Sequence, residues 1–219
     1  MIRTALAATA CALALASAPA SAEVTKQTDD MFVVRSEATV KSDAKATWLA
    51  LIAPAKWWNK AHTWSGDAAN LTLTPQGGGC FCERIPERDS ASEVGLAGSA
   101  QHMTVVQAFP MRVLRMRGAL GPLQSEPVEG VLTITLKTEA EGGTHIVWEY
   151  AVGGPMRYEV PTIAKAVDGV IAEQVERLAA FLGPTEAAPA AVSPAPEKPA
   201  SVEDALDAMG KGRKPAGKQ

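Results

Sequence analysis

Residues 159–182 read EVPTIAKAVDGVIAEQVERLAAFL. Apolar side chains recur in this segment at three- and four-residue spacings, which is typical of a long amphipathic helix with one buried face. The predicted face consists of Ile163, Val167, Val170, Ile171, Gln174, Val175, Leu178 and Leu182. Gln174 is its polar member, and burying an amide without partners costs about 1–3 kcal/mol. We expect Gln174 to bond backbone groups at the edge of the face, or else to reach a polar group in a cavity.

The segments before this helix alternate between apolar and polar residues with a period of two, which indicates strands with one buried face. The predicted strands are residues 32–40, 71–73, 80–85, 101–109, 111–117, 128–138 and 144–152. Pro110 and residues 141–143 supply two hairpin turns, and residues 42–52 and 55–59 predict two short helices after the first strand. This order predicts an α+β fold in which a curved antiparallel sheet of about seven strands surrounds the long C-terminal helix. A sheet bent in this way often leaves an apolar cavity.

The two ends of the chain differ in composition from this central domain. Arg3, the apolar run 5–18 and the sequence Ala20-Ser21-Ala22 fit a cleaved signal peptide over residues 1–22. The run is too short for a membrane span, so we expect a periplasmic or secreted protein. Residues 23–30 are expected to lead into a domain covering 31–183. The Pro- and Ala-rich residues 184–219 predict a disordered tail, whose basic end could touch an anionic polymer or membrane through Lys211, Arg213, Lys214 and Lys218.

Charge and residue usage exclude several classes of function. A formal net charge of −3 does not favour nucleic-acid binding, which usually needs a basic surface. His62, His102 and His145 are too scattered to form a local metal motif, and no cofactor is expected. Cys80 and Cys82 lie two residues apart on a predicted strand, where we expect them to be poorly placed to bridge each other. Packing as small residues is the favoured interpretation for both, with a redox or metal role as the alternative.

Several short motifs, in this order and spacing, resemble the START-like superfamily, also called SRPBCC. They are Trp64-Ser65-Gly66-Asp67-Ala68 with Asn70-Leu71, Gly78-Gly79-Cys80-Phe81-Cys82-Glu83, Gly118-Ala119-Leu120-Gly121-Pro122-Leu123-Gln124, Gly142-Gly143-Thr144, and Val167-Asp168 followed by Gln174. Within the superfamily, the chain is most similar to bacterial polyketide cyclase/dehydrase-like or activator-of-heat-shock-ATPase-like proteins. The resemblance covers residues 32–182 and implies a helix-grip fold. It also implies binding of lipids, polyketides or other apolar molecules in a cavity, with catalysis in some members.

The candidate site residues fall into two groups. Those expected to line a ligand cavity are Trp64, Phe81, Leu114, Met116, Ile134, Trp148, Tyr150, Ile163, Val167, Val170 and Gln174. The candidate acid–base groups are Glu83, His102 and Tyr150. Glu83 shares a strand face with Phe81, so it is a buried acid–base group if that face is internal and a surface charge if Cys80 and Cys82 face inward. The pattern alone does not decide between the two, and a surface position is the favoured interpretation.

Three functions follow from these expectations. The leading one is an exported, non-catalytic binder of a small hydrophobic or amphipathic molecule. The second is a cyclase- or dehydratase-type enzyme acting in the same cavity, which requires at least two of the acid–base candidates to converge. The third is an interaction module of the cell envelope that binds no ligand.

Overall fold

The computed structural model describes residues 22–87, 95–140 and 142–183. The strands are β1 Ala22–Gln27, β2 Met31–Val40, β3 Leu71–Leu73, β4 Cys80–Ile85, β5 Gly98–Phe109, β6 Val113–Arg117, β7 Glu129–Thr138 and β8 Thr144–Gly153. The α-helices are α1 Ala44–Leu51 and α2 Val160–Leu182, and short 3-10 turns cover Pro54–Lys56, Lys60–His62, Ala68–Asn70 and Gly121–Ser125. Residues 1–21 and 184–219, which contain most of the predicted signal peptide and the tail, lie outside the described residues.

The sheet confirms the predicted α+β class. Its strands follow the order β1-β2-β8-β7-β6-β5-β4-β3, and every neighbouring pair is antiparallel. The described residues form eight strands rather than the predicted seven. The extra strand is β1, which lies in the segment expected to be a lead-in and pairs with β2 at the sheet edge. Only Val24 of β1 packs against the core, so this edge strand has too little apolar alternation to be recognised.

The long helix begins and ends close to the predicted residues. Glu159 is the N-cap, Pro161 lies in the first turn, and Gly183 ends α2 with a positive φ of 79°. The helix packs mainly against β2 and β1, which lie at one end of the sheet. It therefore covers only part of the inner face, and another segment has to cover the rest.

That covering segment is the connection between α1 and β3. Asp43 caps α1 as predicted, since its side chain accepts the Ala46 N–H at 2.7 Å. The prediction of a second helix at 55–59 was wrong, because only the 3-10 turn Pro54–Lys56 forms there. The chain then buries two aromatic anchors, Trp57 and Trp58, whose ring centroids lie 6.0 and 6.5 Å from that of Trp148. Large apolar anchors hold this irregular segment against the sheet in place of a helix.

Cys80 and Cys82 form a disulfide, contrary to the expectation that they are poorly placed to bridge each other. A regular strand separates the Cα atoms of residues i and i+2 by about 6.6 Å. In β4 the two Cα atoms are 5.4 Å apart, close to the usual disulfide spacing. The pairing of β4 with β5 is irregular at this point, where its register shifts between Phe81 and Cys82. The contraction of β4 beside this irregularity is what brings the two cysteines together.

Candidate functional site

A bulge in β5 turns His102 toward the interior. Phe81 of β4 pairs with Met103, whereas the next residue, Cys82, pairs with Gln101, so His102 is the extra residue. Two consecutive residues, His102 and Met103, are therefore buried where a regular strand would bury only one.

Glu83 faces the same interior, so the favoured prediction of a surface position was wrong. Phe81 and Glu83 are almost completely buried, while Cys80 and Cys82 lie on the outer face of the sheet. The Glu83 carboxylate accepts the backbone N–H groups of Trp64 at 3.0 Å and Ser65 at 2.5 Å. It also accepts a hydrogen bond from His102 Nε2 at 3.0 Å. These donors supply the partners that a buried carboxylate requires.

The pair is an ionised carboxylate next to a neutral imidazole. Burial disfavours the Glu83 carboxylate, but the hydrogen bonds from Ser65, Trp64 and His102 outweigh it and lower the pKa of Glu83 below its ordinary value. Burial also lowers the pKa of His102, and the nearby Glu83 charge only partly opposes this. Because the ionised Glu83 can only accept, Nε2 of His102 carries the proton and Nδ1 is left as an acceptor.

Gln124 connects this pair to the surface. Its Oε1 accepts the indole N–H of Trp64 at 2.9 Å, and its Nε2 donates to the Gln101 carbonyl at 3.1 Å. The same Nε2 lies 3.5 Å from Nδ1 of His102, at the long limit of a hydrogen bond. Gln124 is exposed, so a molecule arriving from solvent can replace this weak contact with His102.

An open pocket of about 630 Å³ lies beside His102 and Gln124. We call it the β5–β6 pocket; it is lined by Ala100, Gln101, His102, Met103, Thr104, Val106, Arg117, Gly118, Ala119, Gln124, Glu126, Val128 and Glu129. The volume falls in the range typical of small-molecule sites. Most of its lining residues were not among the sequence candidates. The Gly118–Gln124 motif was the available signal, since a glycine-rich loop between strands can border a site.

Tyr150, the third acid–base candidate, has a structural role. Its hydroxyl accepts the Leu120 N–H at 3.2 Å and donates to the Gly118 carbonyl at 3.3 Å. Complete burial raises the pKa of Tyr150 far above its usual range, so the phenol stays protonated. The structure thus brings Glu83 and His102 together, while Tyr150 fixes the loop that borders the pocket.

The predicted cavity residues surround a filled core. Phe81, Leu114, Met116, Ile134 and Trp148 border an interior space of about 20 Å³, which is close to the size of one water. Trp57 and Trp58 close this space from the other side. Of the helix candidates, Ile163 and Gln174 are buried, and Val167 and Val170 are half-buried. Trp64 is half-buried and lies next to Gln124 at the β5–β6 pocket.

Gln174 holds α2 to the connection between α1 and β3, which contains Trp57 and Trp58 and which we call the tryptophan segment. Its Oε1 accepts the Asn59 N–H at 2.9 Å, and its Nε2 donates to the Val170 carbonyl at 3.4 Å. The favoured prediction of backbone bonding is confirmed, although Gln174 is fully buried rather than at an edge. Nearby, Glu173 bonds both Asn59 and His62, and Arg177 Nε donates to the Trp57 carbonyl at 2.8 Å.

The described residues contain neither a metal-binding cluster nor a helix that could cross a membrane. No three His, Cys, Asp or Glu side chains within residues 22–87, 95–140 and 142–183 are placed to hold a metal ion. Over the same ranges, no helix combines the length and the hydropathy that crossing a bilayer requires. The basic residues Lys211, Arg213, Lys214 and Lys218 lie outside the described part of the chain.

No known protein family matches the chain, and no curated protein matches it. The chain is similar to the solved structure of protein MLL2253 from Mesorhizobium loti, with 19% identity over 68% of this chain and 96% of that one and a TM-score of 0.46. It is also similar to CalU16 from Micromonospora echinospora, with 13% identity over 76% of this chain and 87% of that one and a TM-score of 0.46. A third similar structure is Ms6760 from Mycobacterium smegmatis, with 15% identity over 77% of this chain and 99% of that one and a TM-score of 0.48. Likenesses this distant say nothing about what this chain does.

Proposed function

We propose that the protein binds a small, uncharged amphipathic molecule in the β5–β6 pocket and that His102 recognises a hydrogen-bond donor on it. The observation that carries this proposal is the buried contact between Glu83 and His102 beside an open pocket of about 630 Å³. Because Glu83 holds the proton on Nε2, the ring offers an acceptor at Nδ1. A ligand with a hydroxyl or N–H group would satisfy that acceptor.

The remaining lining residues favour an uncharged molecule with an apolar body. Met103, Val106, Ala119 and Val128 supply apolar surface. The carboxylate of Glu126 is bound by Arg157, and that of Glu129 lies 3.7 Å from Arg117. Each of these carboxylates has an arginine partner, so a cationic ligand would have to compete with that arginine.

This proposal moves the ligand away from the internal cavity expected from the sequence. The space of about 20 Å³ between the sheet and the tryptophan segment has no room for a guest of several carbons. The proposal keeps the protein in the cell envelope, as the N-terminal composition suggests. The Cys80–Cys82 disulfide supports that location, because disulfides persist in oxidising compartments.

Two probes that differ by one methyl group test the recognition step. We expect 2-naphthol, which carries a hydroxyl donor, to raise the melting temperature more than 2-methoxynaphthalene does, since ligands of the native state stabilise it. His102→Phe should abolish the difference. His145→Gln, on the opposite face of the sheet, is the matched control and should keep it. Equal shifts for both probes, or no shift with either, would contradict the proposal.

A second candidate is acid–base catalysis of the cyclase or dehydratase type. The same contact favours it, because a carboxylate that orients a neutral imidazole is an arrangement suited to a general base. In such a reaction Nδ1 of His102 would take a proton from carbon next to a carbonyl, and Glu83 would stabilise the resulting imidazolium.

Deuterium exchange separates the enzyme from the binder. With a 1,3-diketone probe in D₂O, an enzyme should accelerate exchange of the acidic C–H, and the rate should rise with pH as His102 loses its proton. His102→Gln should remove the acceleration while His145→Gln retains it. Exchange at the uncatalysed rate, together with probe binding, would leave binding as the function.

A further inference from the structure

The Cys80–Cys82 disulfide does not tie together separate parts of the fold. Both cysteines belong to β4, and only Phe81 lies between them. A disulfide stabilises a protein mainly by closing a loop in the unfolded chain, and the effect grows with loop length. A bridge across one residue closes a very short loop, so stabilisation of the domain is a poor explanation for it.

The bridge is accessible from solvent. Both cysteines are partly exposed on the outer face of the sheet, opposite the buried side chains of Phe81 and Glu83. On one side lies the three-residue edge strand β3, where exposed Thr72 contacts the Cys82 carbonyl at 3.4 Å. Since neither cysteine is fully buried, solvent reaches this face of β4.

The side chains around the bridge are suited to thiol chemistry. From β5, Gln101 and Thr104 face the same side and hydrogen-bond each other at 2.6 Å. From β4, Arg84 follows Cys82 on the same face and pairs with Glu87. These neighbours are hydroxyls, an amide and an ion pair, and cysteines in polar, partly exposed surroundings react more readily than cysteines buried among apolar side chains.

We propose that Cys80 and Cys82 form a thiol–disulfide exchange site whose substrate is an external thiol. The thiolate of the substrate attacks one sulfur of the bridge, the S–S bond breaks, and the other cysteine leaves as a thiolate that takes up a proton. A second substrate thiolate then attacks the mixed disulfide and releases the first cysteine. The balance is one protein disulfide and two thiols converted to one protein dithiol and one substrate disulfide.

The test uses the full chain with Cys11→Ser, so that only Cys80 and Cys82 can react. The protein is equilibrated without denaturant in a series of buffers that differ in the ratio of reduced to oxidised glutathione. Its free thiols are then alkylated with N-ethylmaleimide, and the number of adducts is determined by mass spectrometry. We expect a reversible change from the bridged protein to one carrying two adducts, with an unchanged circular dichroism spectrum. A bridge that stays closed in the most reducing buffer, or thiols that never reoxidise, would overturn the proposal.

A second measurement distinguishes the source of the thiol. The bridged protein is offered glutathione in one arm and a reduced, unfolded test protein in the other, and oxidation of each substrate is followed. The control is the double variant Cys80→Ser, Cys82→Ser. If the bridged protein oxidises the thiol in either arm faster than this variant does, the result supports the site and identifies the kind of thiol that it accepts. No acceleration in either arm would overturn it. If the double variant does not fold, the glutathione titration of the bridged protein still tests the proposal, with the outcomes given above.

Discussion

Glu83 Oε2 and His102 Nε2 lie 3.0 Å apart across two neighbouring strands, and both side chains are buried. The contact exists because the β5 bulge turns His102 inward opposite the inner face of β4. It also gathers residues from distant parts of the chain, since Trp64 and Ser65 donate to the same carboxylate. Two of the sequence motifs, the one at Trp64-Ser65 and the one that ends at Glu83, therefore meet at one place.

Replacing Glu83 should destabilise the fold. Glu83→Gln puts an amide N–H₂ group where the carboxylate accepts hydrogen bonds from Trp64, Ser65 and His102. Each buried donor left without a partner costs about 1–3 kcal/mol, so we expect a loss of about 2–4 kcal/mol in unfolding free energy. Urea denaturation measures it. Glu149→Gln, exposed on β8, is the control and should change little; an equal effect of both variants would contradict the assigned role of Glu83.

Stability should fall with acidification because of His102. The pKa of His102 is lowered from 6.5 in the folded state, chiefly by burial, so below pH 6.5 the unfolded chain binds more protons than the folded one. The melting temperature should therefore be highest above pH 6.5, decline as the pH falls through 6.5, and lose this dependence once the folded state is also protonated. Glu83, with its pKa lowered from 4.5, adds a further decline at lower pH.

Melting curves between pH 7.5 and pH 5 for two variants check the origin of this dependence. His102→Gln keeps a donor for Glu83 but does not titrate, so its melting temperature should vary less with pH. His145→Gln should behave like the unaltered protein. A pH dependence that persists in His102→Gln would show that another group causes it.

The link between α2 and the tryptophan segment should depend on Gln174. Gln174→Met keeps the volume but removes the acceptor of the buried Asn59 N–H, which should cost about 1–3 kcal/mol. We also expect faster amide hydrogen exchange in residues 57–64, read by mass spectrometry. Glu176→Gln, on the exposed side of α2, is the control. Unchanged exchange in that segment would mean that Trp57 and Trp58 alone hold it in place.

Removing the charge of Asp168 should stabilise the protein. Its Oδ1 is buried and has no hydrogen-bond partner among the described residues. Burial first, and then the charge of Glu23, raises the pKa of Asp168 above 3.8. At neutral pH the ionised Asp168 therefore lowers the free energy of unfolding. This loss of stability disappears as the pH falls through the raised pKa of the folded state toward 3.8.

Asp168→Asn should accordingly melt at a higher temperature than the unaltered protein at pH 7, and the two should converge near pH 3.8. Asp29→Asn, in the exposed turn after β1, should leave the melting temperature unchanged. A lower melting temperature for Asp168→Asn at pH 7 would mean that this carboxylate has a stabilising partner.

The elements that could be predicted are those with strong local patterns. The helix at 160–182 and the paired strands β5–β6 and β7–β8 follow from apolar spacing and turn residues, which a chain carries whatever surrounds it. Strand β1 escaped prediction because its residues are mostly polar and its pairing with β2 uses backbone groups. The filling of the expected cavity also could not be predicted, because it depends on how far Trp57 and Trp58 reach toward Trp148.

The amino-acid sequence alone determined the α+β class, the order of the main elements and the long C-terminal helix, because periodicity and capping act over a few neighbouring residues. Only the tertiary structure decided that Glu83 is buried, that His102 contacts it, that Cys80 and Cys82 are bridged, and that a pocket of about 630 Å³ lies beside β5. The bulge in β5 governs the second of these outcomes and lies beside the third, while the burial of Glu83 follows from the inner face that it shares with Phe81. A bulge is a property of the pairing between two strands, and no single strand carries its signature.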